Sequence, residues 1–168
     1  MGLLQGRVVA ITGAGRGIGR AIAMSCASEG ACVVVNDYGG AVDGSGSDLG
    51  PAHDVVAEIN SAGGTAIANF ATIVDPAGAA SIIDDAVNNF DRIDAVVNNA
   101  GFLRDAIFHR MSVADWNAII DVHLNGYFYV SQAAAVHFKR QNSGAFVHLT
   151  STSGLIGNLA NAPRSVLS

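Results

Sequence analysis

The chain has 168 residues, of which half are hydrophobic and 14% are charged, so it is long and apolar enough for one domain with a genuine core, and a disordered chain is excluded. The net charge of −5, with nine scattered basic residues, argues against binding to nucleic acid or to a membrane surface. Neither a secretory leader nor an apolar run of membrane-spanning length is visible, and we expect a cytoplasmic protein. Cys26 and Cys32 have no Cys or His partner at ligand spacing, so we predict small buried hydrophobic residues and no metal site.

Apolar runs of strand length alternate with helix-like stretches along the whole chain. The five candidate strands are nearly continuous apolar segments, as expected of strands covered on both faces. They are Val8 to Ile11, Cys32 to Asn36, Ala66 to Phe70, Ala95 to Val97 and Ala145 to Leu149. This alternation predicts an α/β fold, a doubly wound parallel sheet with helices on both faces, in a single domain over residues 1–168.

Glycines bound the first two predicted helices. The first should begin at Gly17 and end at Gly30, a residue that can adopt the left-handed conformation. The second should run from about Ala52 to the pair Gly63-Gly64. Between the second strand and this helix, the glycine-rich segment Gly39 to Gly50 lacks periodicity. It is predicted to be a long loop, either a lid beside a ligand or a plain surface insertion.

Capping signals mark the next two helices. Asp75 is the expected N-cap of the third helix and Pro76 its first residue. The apolar stripe of this helix is Ala79, Ile82, Ile83, Ala86, Val87 and Phe90. Ser112 and Asp115 form a capping-box-like pair at the start of the fourth helix. Its apolar residues are Trp116, Ile119, Ile120, Leu124, Tyr127 and Phe128. We expect the aromatic ones to be core or subunit contacts, the alternative being part of a cofactor site.

A glycine-rich turn, with the sequence TGAGRGIG at 12–19, follows the first strand and opens the first helix. Such a turn lets the backbone approach a pyrophosphate, and the helix N-terminus supplies N–H groups and a partial positive charge. The residues predicted to bind the cofactor here are Gly13, Arg16, Gly17, Ile18 and Gly19. Asp37 ends the second strand, where a carboxylate can accept hydrogen bonds from ribose hydroxyls and repel the extra phosphate of NADP. We therefore predict NAD as cofactor. The alternative is a tight turn that binds nothing, with Asp37 as a helix cap or a solvated loop residue.

The glycine pattern, together with Asn98-Asn99-Ala100-Gly101 after the fourth strand, resembles the short-chain dehydrogenase/reductase family over essentially the whole chain. The resemblance implies a Rossmann-like fold, NAD-dependent oxidoreductase activity and, as is usual in the family, a homo-oligomer. It implies that Asn99 helps to fix the cofactor and the central strands, whereas a capping role is the simpler alternative. Thr72 replaces an aspartate that many relatives use near adenine, and Ile73 is expected to contribute its backbone there.

Three segments, 36–40 (NDYGG), 102–105 (FLRD) and 122–126 (VHLNG), resemble the 3-hydroxyacyl-CoA dehydrogenase modules of multifunctional β-oxidation enzymes and their bacterial single-domain relatives. This resemblance implies a small-molecule substrate, a secondary alcohol or ketone such as a 3-hydroxyacyl thioester. His123 replaces an Asn that supports a proton-relay water in most of the family, so it is a candidate relay or a structural histidine. Ser151 takes the position of the catalytic serine that orients the substrate oxygen, unless it only caps the strand end.

The resemblance further implies a tyrosine thirteen residues after this serine and a lysine four further on, whose ammonium lowers the pKa of the phenol. Those positions hold Arg164 and Ser168, which cannot do this chemistry. The segment 162–168 departs from the family pattern, Pro163 would disturb the expected helix, and the family's later elements have no counterpart. A frameshift or premature stop is the simplest hypothesis, which re-sequencing would test. We therefore expect a sheet that is incomplete on its C-terminal side, with impaired turnover. The alternatives are an inactive nucleotide-binding remnant and a partner-binding module.

Overall fold

The computed structural model describes residues 2–40 and 48–152. Its five strands are β1 (Val8–Thr12), β2 (Cys32–Asn36), β3 (Thr65–Asn69), β4 (Ala95–Asn98) and β5 (Ala145–His148). They form one parallel sheet in the order β3-β2-β1-β4-β5. The predicted parallel sheet is confirmed, with strand ends that differ from the prediction by one residue. Because the chain places β2 and β3 on one side of β1 and then β4 on the other, the strand order reverses between β1 and β4.

Helices cover both faces of this sheet. They are α1 (Gly17–Ser28), α2 (Gly50–Ser61), α3 (Pro76–Phe90), α4 (Val113–Ile120) and α5 (Tyr127–Gln141). The predicted fourth helix is therefore interrupted: a π-helical segment, Asp121–Gly126, joins α4 to α5. A π-helical turn inside a longer helix often marks a functional site.

The predicted helix signals act as expected. The Asp75 carboxylate accepts from the Gly78 N–H at 2.8 Å, and the Ser112 hydroxyl accepts from the Asp115 N–H at 3.0 Å. Gly30 follows α1 with φ of +90°. Helix α2 begins two residues before its predicted start, since Pro51 has the φ that a first helical turn requires.

Odd and even strand positions pack against different helices. Val8 and Ala10 of β1 face α3 and α5, whereas Val9 and Ile11 face α1 and α2. This alternation follows from the two-residue repeat of a strand and gives the sheet two apolar layers. Cys26 and Cys32 are half-buried rather than buried, because they lie at the margins of these layers. Burial raises the pKa of the Cys26 thiol.

The amino ends of β1 and β4 are joined by Asp94. Its buried carboxylate accepts from the Val8 N–H at 2.9 Å, from Arg92 at 2.6 and 2.8 Å and from Arg7 at 3.0 Å. Burial by itself would raise the pKa of this carboxyl, but the hydrogen bonds from Arg92, Val8 and Arg7 outweigh it and lower the pKa.

Two predictions concern residues outside the described ranges. The middle of the predicted loop, residues 41–47, lies outside the described ranges. On either side of it, the Asp48 N–H donates to the Gly39 carbonyl at 2.9 Å. The second set, which includes Pro163, Arg164 and Ser168, falls within 153–168. Across the described ranges, none of the helices has both the length and the apolar character needed to cross a bilayer.

Candidate nucleotide-binding and catalytic site

A cavity of about 1040 Å³ lies over the carboxyl ends of the strands, where the strand order reverses. In open parallel sheets ligands bind at this position. All ten predicted site residues line the cavity: Gly13, Arg16, Gly17, Ile18, Gly19, Asp37, Ile73, Asn99, His123 and Ser151. The fold therefore brings together residues that are up to 138 positions apart in the sequence, from 13 to 151.

Two glycines of the turn between β1 and α1, Gly13 and Gly19, have no room for a side chain. Gly13 has φ of +63°, and a Cβ there would lie 2.7 Å from the Cα of Ala100. A Cβ on Gly19 would lie 2.2 Å from the carbonyl oxygen of Gly13. Arg16, at the N-cap of α1, gives the first helical turn no side-chain hydrogen bond. The turn thus leaves backbone N–H groups and the positive end of the helix beside the cavity, which suits an anion.

Thr12 and Asn99 fasten this turn to the neighbouring strand β4. The Asn99 amide nitrogen Nδ2 donates to the carbonyls of Thr12 at 3.0 Å and Gly13 at 2.9 Å. In return, the buried Thr12 hydroxyl accepts from the N–H groups of Asn99 and Ala100, both at 3.1 Å. Asn99 therefore shapes the turn from across the sheet, which is the strand-fixing part of its predicted role.

Asp37 connects the turn to the loop that follows β2. One carboxylate oxygen accepts from the Gly15 N–H and the other from the Gly39 N–H, both at 2.7 Å. Because each carboxylate oxygen can accept more than one hydrogen bond, Asp37 keeps acceptor capacity for a ligand. The side chain is thus a brace for the glycine turn as well as a candidate ribose ligand.

Arg16 reaches across the mouth of the cavity to the base of the 39–48 loop. Its guanidinium lies 3.1 Å from the Asp48 carboxylate and 3.4 Å from the Gly40 carbonyl. Both side chains of this ion pair are more than half exposed, so the pair is weak. It nevertheless gives the one cation of the glycine turn a counter-charge.

The cavity wall after β3 consists of residues 71–74. Ile73 is buried, and its side chain packs closely on Gly126. A Cβ added to Gly126 would lie 2.7 Å from the Ile73 Cδ1. This contact joins the wall to the π-helical segment. Polar side chains at the ends of β2 and β3, Asn36 and Asn69, also support the wall.

His123 projects from the π-helical segment toward the loop after β4. Its Nε2 lies 3.1 Å from the Phe102 carbonyl, and since a carbonyl only accepts, Nε2 carries the proton. A Cβ on Gly101 would lie 2.4 Å from the His123 ring. A structural role for His123 is therefore visible, and its role as a proton relay stays a prediction.

The end of the cavity at β5 holds Ser151 together with two aromatic rings that sequence reasoning did not assign to the site. Tyr127 and His148 line the cavity and stack with their centroids 5.9 Å apart. The Asn98 Nδ2 lies 3.1 Å from the His148 Nδ1 and 3.0 Å from the Ser131 hydroxyl. Tyr127 was predicted to be a core or subunit contact, and periodicity could not reveal that its helix passes the cavity.

Arg104 lies on the rim of the cavity over the Phe102 ring, with its guanidinium 5.6 Å from the ring centroid. It pairs with Asp115 at the start of α4. Hydrogen bonds from the Ser112 hydroxyl and from Arg104 lower the pKa of the Asp115 carboxyl. In the described ranges, no cluster of three or more His, Cys, Asp or Glu side chains could hold a metal ion.

A parallel sheet of this strand order, with a glycine turn and a cavity at the reversal point, defines a Rossmann-like nucleotide-binding fold. A model of the short chain dehydrogenase family matches residues 7–163. The chain therefore belongs to the short-chain dehydrogenase family.

Individual relatives agree with this assignment. The chain is 50% identical over 155 residues to a short-chain type dehydrogenase/reductase of Mycobacterium tuberculosis, covering 92% of this chain and 54% of that protein. It is 48% identical over 158 residues to the mouse peroxisomal multifunctional enzyme type 2, covering 94% of this chain and 21% of that protein. A crystal structure of a short chain dehydrogenase from Mycobacterium avium matches with a TM-score of 0.90 at 40% identity, covering 99% of this chain and 61% of that one. The chain thus spans less than two thirds of each of these relatives.

Proposed function

We propose that this chain binds NAD and is the nucleotide-binding part of an oxidoreductase that transfers hydride between the cofactor and a secondary alcohol or ketone. The observation that carries the proposal is the glycine turn, which opens onto the cavity with Asp37 at its side. We propose a single domain over 1–168 and a cytoplasmic location, although one relative is named as peroxisomal.

The preference for NAD rests on the charges beside the turn. The Asp37 carboxylate would accept from ribose hydroxyls and repel a 2′-phosphate. An arginine can attract such a phosphate, but Arg16 already has the Asp48 carboxylate at 3.1 Å. The local balance of one cation and two carboxylates therefore disfavours the extra phosphate of NADP.

The cofactor would be held by the glycine turn, including Arg16 and Ile18, and by Asp37, Ile73 and Asn99. Its nicotinamide supplies the hydride chemistry when bound. Ser151 would donate a hydrogen bond to the substrate oxygen, and His123 would help to move its proton. Similarity to 3-hydroxyacyl-CoA dehydrogenase modules in 36–40, 102–105 and 122–126 favours a 3-hydroxyacyl thioester as substrate.

Turnover by this chain should be severely impaired. Alcohol oxidation releases a proton from the hydroxyl as hydride leaves the carbon, and a phenol with an adjacent ammonium performs this exchange in the family. Counted from Ser151, Arg164 and Ser168 stand at those positions, and neither can replace the pair. A bound but unreactive nucleotide is therefore the expected state of this chain.

Calorimetric titration with NAD and NADP tests the proposal. We expect saturable binding of NAD, much weaker binding of NADP, and a loss of about tenfold or more in NAD affinity for Asp37→Ala. Asp54→Ala, which removes an exposed carboxylate of α2, is the matched control and should change neither affinity. A folded chain that binds neither nucleotide would refute the proposal, and tighter binding of NADP would refute its NAD part.

A chimera tests the oxidoreductase part. It joins residues 1–158 to the remaining sequence of the M. tuberculosis relative and is assayed for NADH formation with a 3-hydroxyacyl-CoA. We expect activity in the chimera, none in the parent chain, and loss of activity when the chimera carries Ser151→Ala. An NAD-binding chimera without activity on hydroxyacyl thioesters or simple secondary alcohols would favour a binding role instead.

A further inference from the structure

A hydrogen-bond network of three side chains, Asp85, Asn69 and Asn36, runs from α3 to the cavity beneath the ends of β2 and β3. The Asn69 Nδ2 donates to the Asp85 carboxylate at 2.7 Å, and the Asn36 Nδ2 donates to the Asn69 Oδ1 at 2.8 Å. Asn36 and Asn69 are only 2% and 6% exposed, so the contact between them is shielded from water, whereas Asp85 is half-buried. Asn36 itself lines the cavity.

This hydrogen-bond network ends on backbone groups at two walls of the cavity. The Asn36 Nδ2 also donates to the Ala71 carbonyl at 2.9 Å, and the Ala71 N–H donates to the Asn69 Oδ1 at 3.0 Å. The Asp37 N–H donates to the Asn69 carbonyl at 3.0 Å. The side-chain network therefore fixes the start of the 71–74 wall, and a separate backbone hydrogen bond holds the acid beside the glycine turn.

Two partners orient the Asn69 amide in the same sense: the Asp85 carboxylate accepts from its NH₂ group, and the Ala71 N–H donates to its oxygen. An ionised carboxylate only accepts, so Asn69 must turn its NH₂ group toward Asp85 and its oxygen toward Asn36. Asn36 must then direct its NH₂ group at the Asn69 oxygen and the Ala71 carbonyl. The side-chain oxygen of Asn36 is the polar atom that remains for a ligand in the cavity.

We propose that Asn69 and Asp85 are positioning residues for the adenosine half of the nucleotide, acting through Asn36 and the 71–74 wall. Asn36 offers an acceptor oxygen to a hydroxyl or amino group of that half. This inference rests on the proposed function, because it assigns one end of the same cavity.

Calorimetry with three probes tests the inference: NAD, ADP and inorganic pyrophosphate. For Asp85→Ala we expect a loss of about tenfold in affinity for NAD and for ADP, because the NH₂ group of Asn69 loses its carboxylate acceptor and only the Ala71 N–H then holds the side chain. Pyrophosphate, which meets only the glycine turn, should bind as it does to the parent chain. A merely structural role for Asp85 would weaken all three probes together.

Two further variants sharpen the test. Asp85→Asn keeps an oxygen that can accept from Asn69, so its loss should be less than about threefold. Asp84→Ala removes the adjacent, exposed carboxylate of α3 and should leave every affinity unchanged. Hydrogen exchange should show a faster Ala71 amide in Asp85→Ala, with the amides of α3 unaffected. If Asp85→Ala does not fold, Asp85→Ser supports the same comparison.

The outcomes separate this inference from the proposed function. If the parent chain binds NAD and Asp85→Ala binds it equally well, the inference fails and the proposed function stands. Equal losses for ADP and pyrophosphate would also overturn the inference. If the parent chain binds neither NAD nor ADP, both fail.

Discussion

An inner strand of the sheet, β2, and its edge strand β5 differ in how completely they are packed. In β2, the residues Val33, Val34 and Val35 are fully buried between helices on both faces. In β5, Phe146 and Val147 point to opposite faces and are 41% and 49% exposed. The same parallel pairing thus holds one well-buried strand near one end and one exposed strand at the other.

The cavity is supported unequally in the same way. Its wall near β1, β2 and β3 is fixed by hydrogen bonds that the side chains of Thr12, Asn36, Asp37, Asn69 and Asn99 make. Near β5 aromatic pairs contribute as well, with ring centroids 4.9 Å apart for Phe138 and Phe146 and 5.9 Å apart for Tyr127 and His148. We call the part of the cavity near β1, β2 and β3, where we propose that the nucleotide binds, the nucleotide end. We infer that the nucleotide end keeps one geometry and tolerates few substitutions, whereas the part near β5 tolerates more.

The largest effect is expected from Gly13→Ala at the nucleotide end. Its left-handed φ and the 2.7 Å approach to the Ala100 Cα should together cost about 2–5 kcal/mol of unfolding free energy. NAD binding should fall by about a hundredfold or more, since the turn cannot keep its shape. Urea denaturation and calorimetry measure the two quantities.

Gly63→Ala is the matched control for this change. Gly63 also has a positive φ, of +85°, but a Cβ there meets no atom within 4 Å. It should cost about 1–2 kcal/mol and leave the affinity for NAD unchanged. Equal losses of affinity in both variants would mean that Gly13 acts only through global stability.

Asp94→Asn is expected to have the next largest effect on stability. Asp94 lies at the amino ends of β1 and β4, on the side of the sheet away from the cavity. The change weakens the contacts to Arg7, Arg92 and the Val8 N–H, and should cost about 2–3 kcal/mol at neutral pH. The affinity for NAD should not change, because no atom of this cluster lines the cavity. A stability loss without an affinity loss would separate the packing of the sheet from the shape of the site.

The pH dependence of this loss has a definite sign. The folded protein lowers the pKa of Asp94 below its usual 3.8, so its ionisation stabilises the fold fully above that value. This contribution disappears as the pH falls through the lower pKa of the folded state. The difference in urea midpoint between the parent chain and Asp94→Asn should therefore be constant near neutrality and shrink below about pH 4. A difference that grows on acidification would contradict this assignment.

Sequence reasoning succeeded where a local rule has one structural solution. The glycine turn, the Asp75 cap with Pro76 and the left-handed Gly30 each follow from the chemistry of adjacent residues. Asp37 lies beside the turn because β2 carries it to the same end of the sheet, and its role toward a cofactor stays a prediction.

The missed features depend on contacts between distant elements. No local pattern reveals that Asn69 would meet Asp85 on α3, or that Tyr127 would stack on His148 from β5. The π-helical segment was missed for a related reason: its apolar pattern resembles that of an α-helix, and the close contact between Gly126 and Ile73 appears only in the fold. These are also the features that connect the cavity walls to the helices.

The smallest effects are expected from one substitution made in the inner strand and in the edge strand, Val35→Thr in β2 and Val147→Thr in β5. Both residues are β-branched and of similar size, so strand propensity is nearly constant and the comparison isolates burial. Val35 is fully buried, and a hydroxyl there should cost about 1–2 kcal/mol. Val147 is half exposed, and its change should stay within about 0.5 kcal/mol in urea denaturation. Equal costs at the two positions would mean that β5 is covered in solution, and the contrast between β2 and β5 would then be wrong.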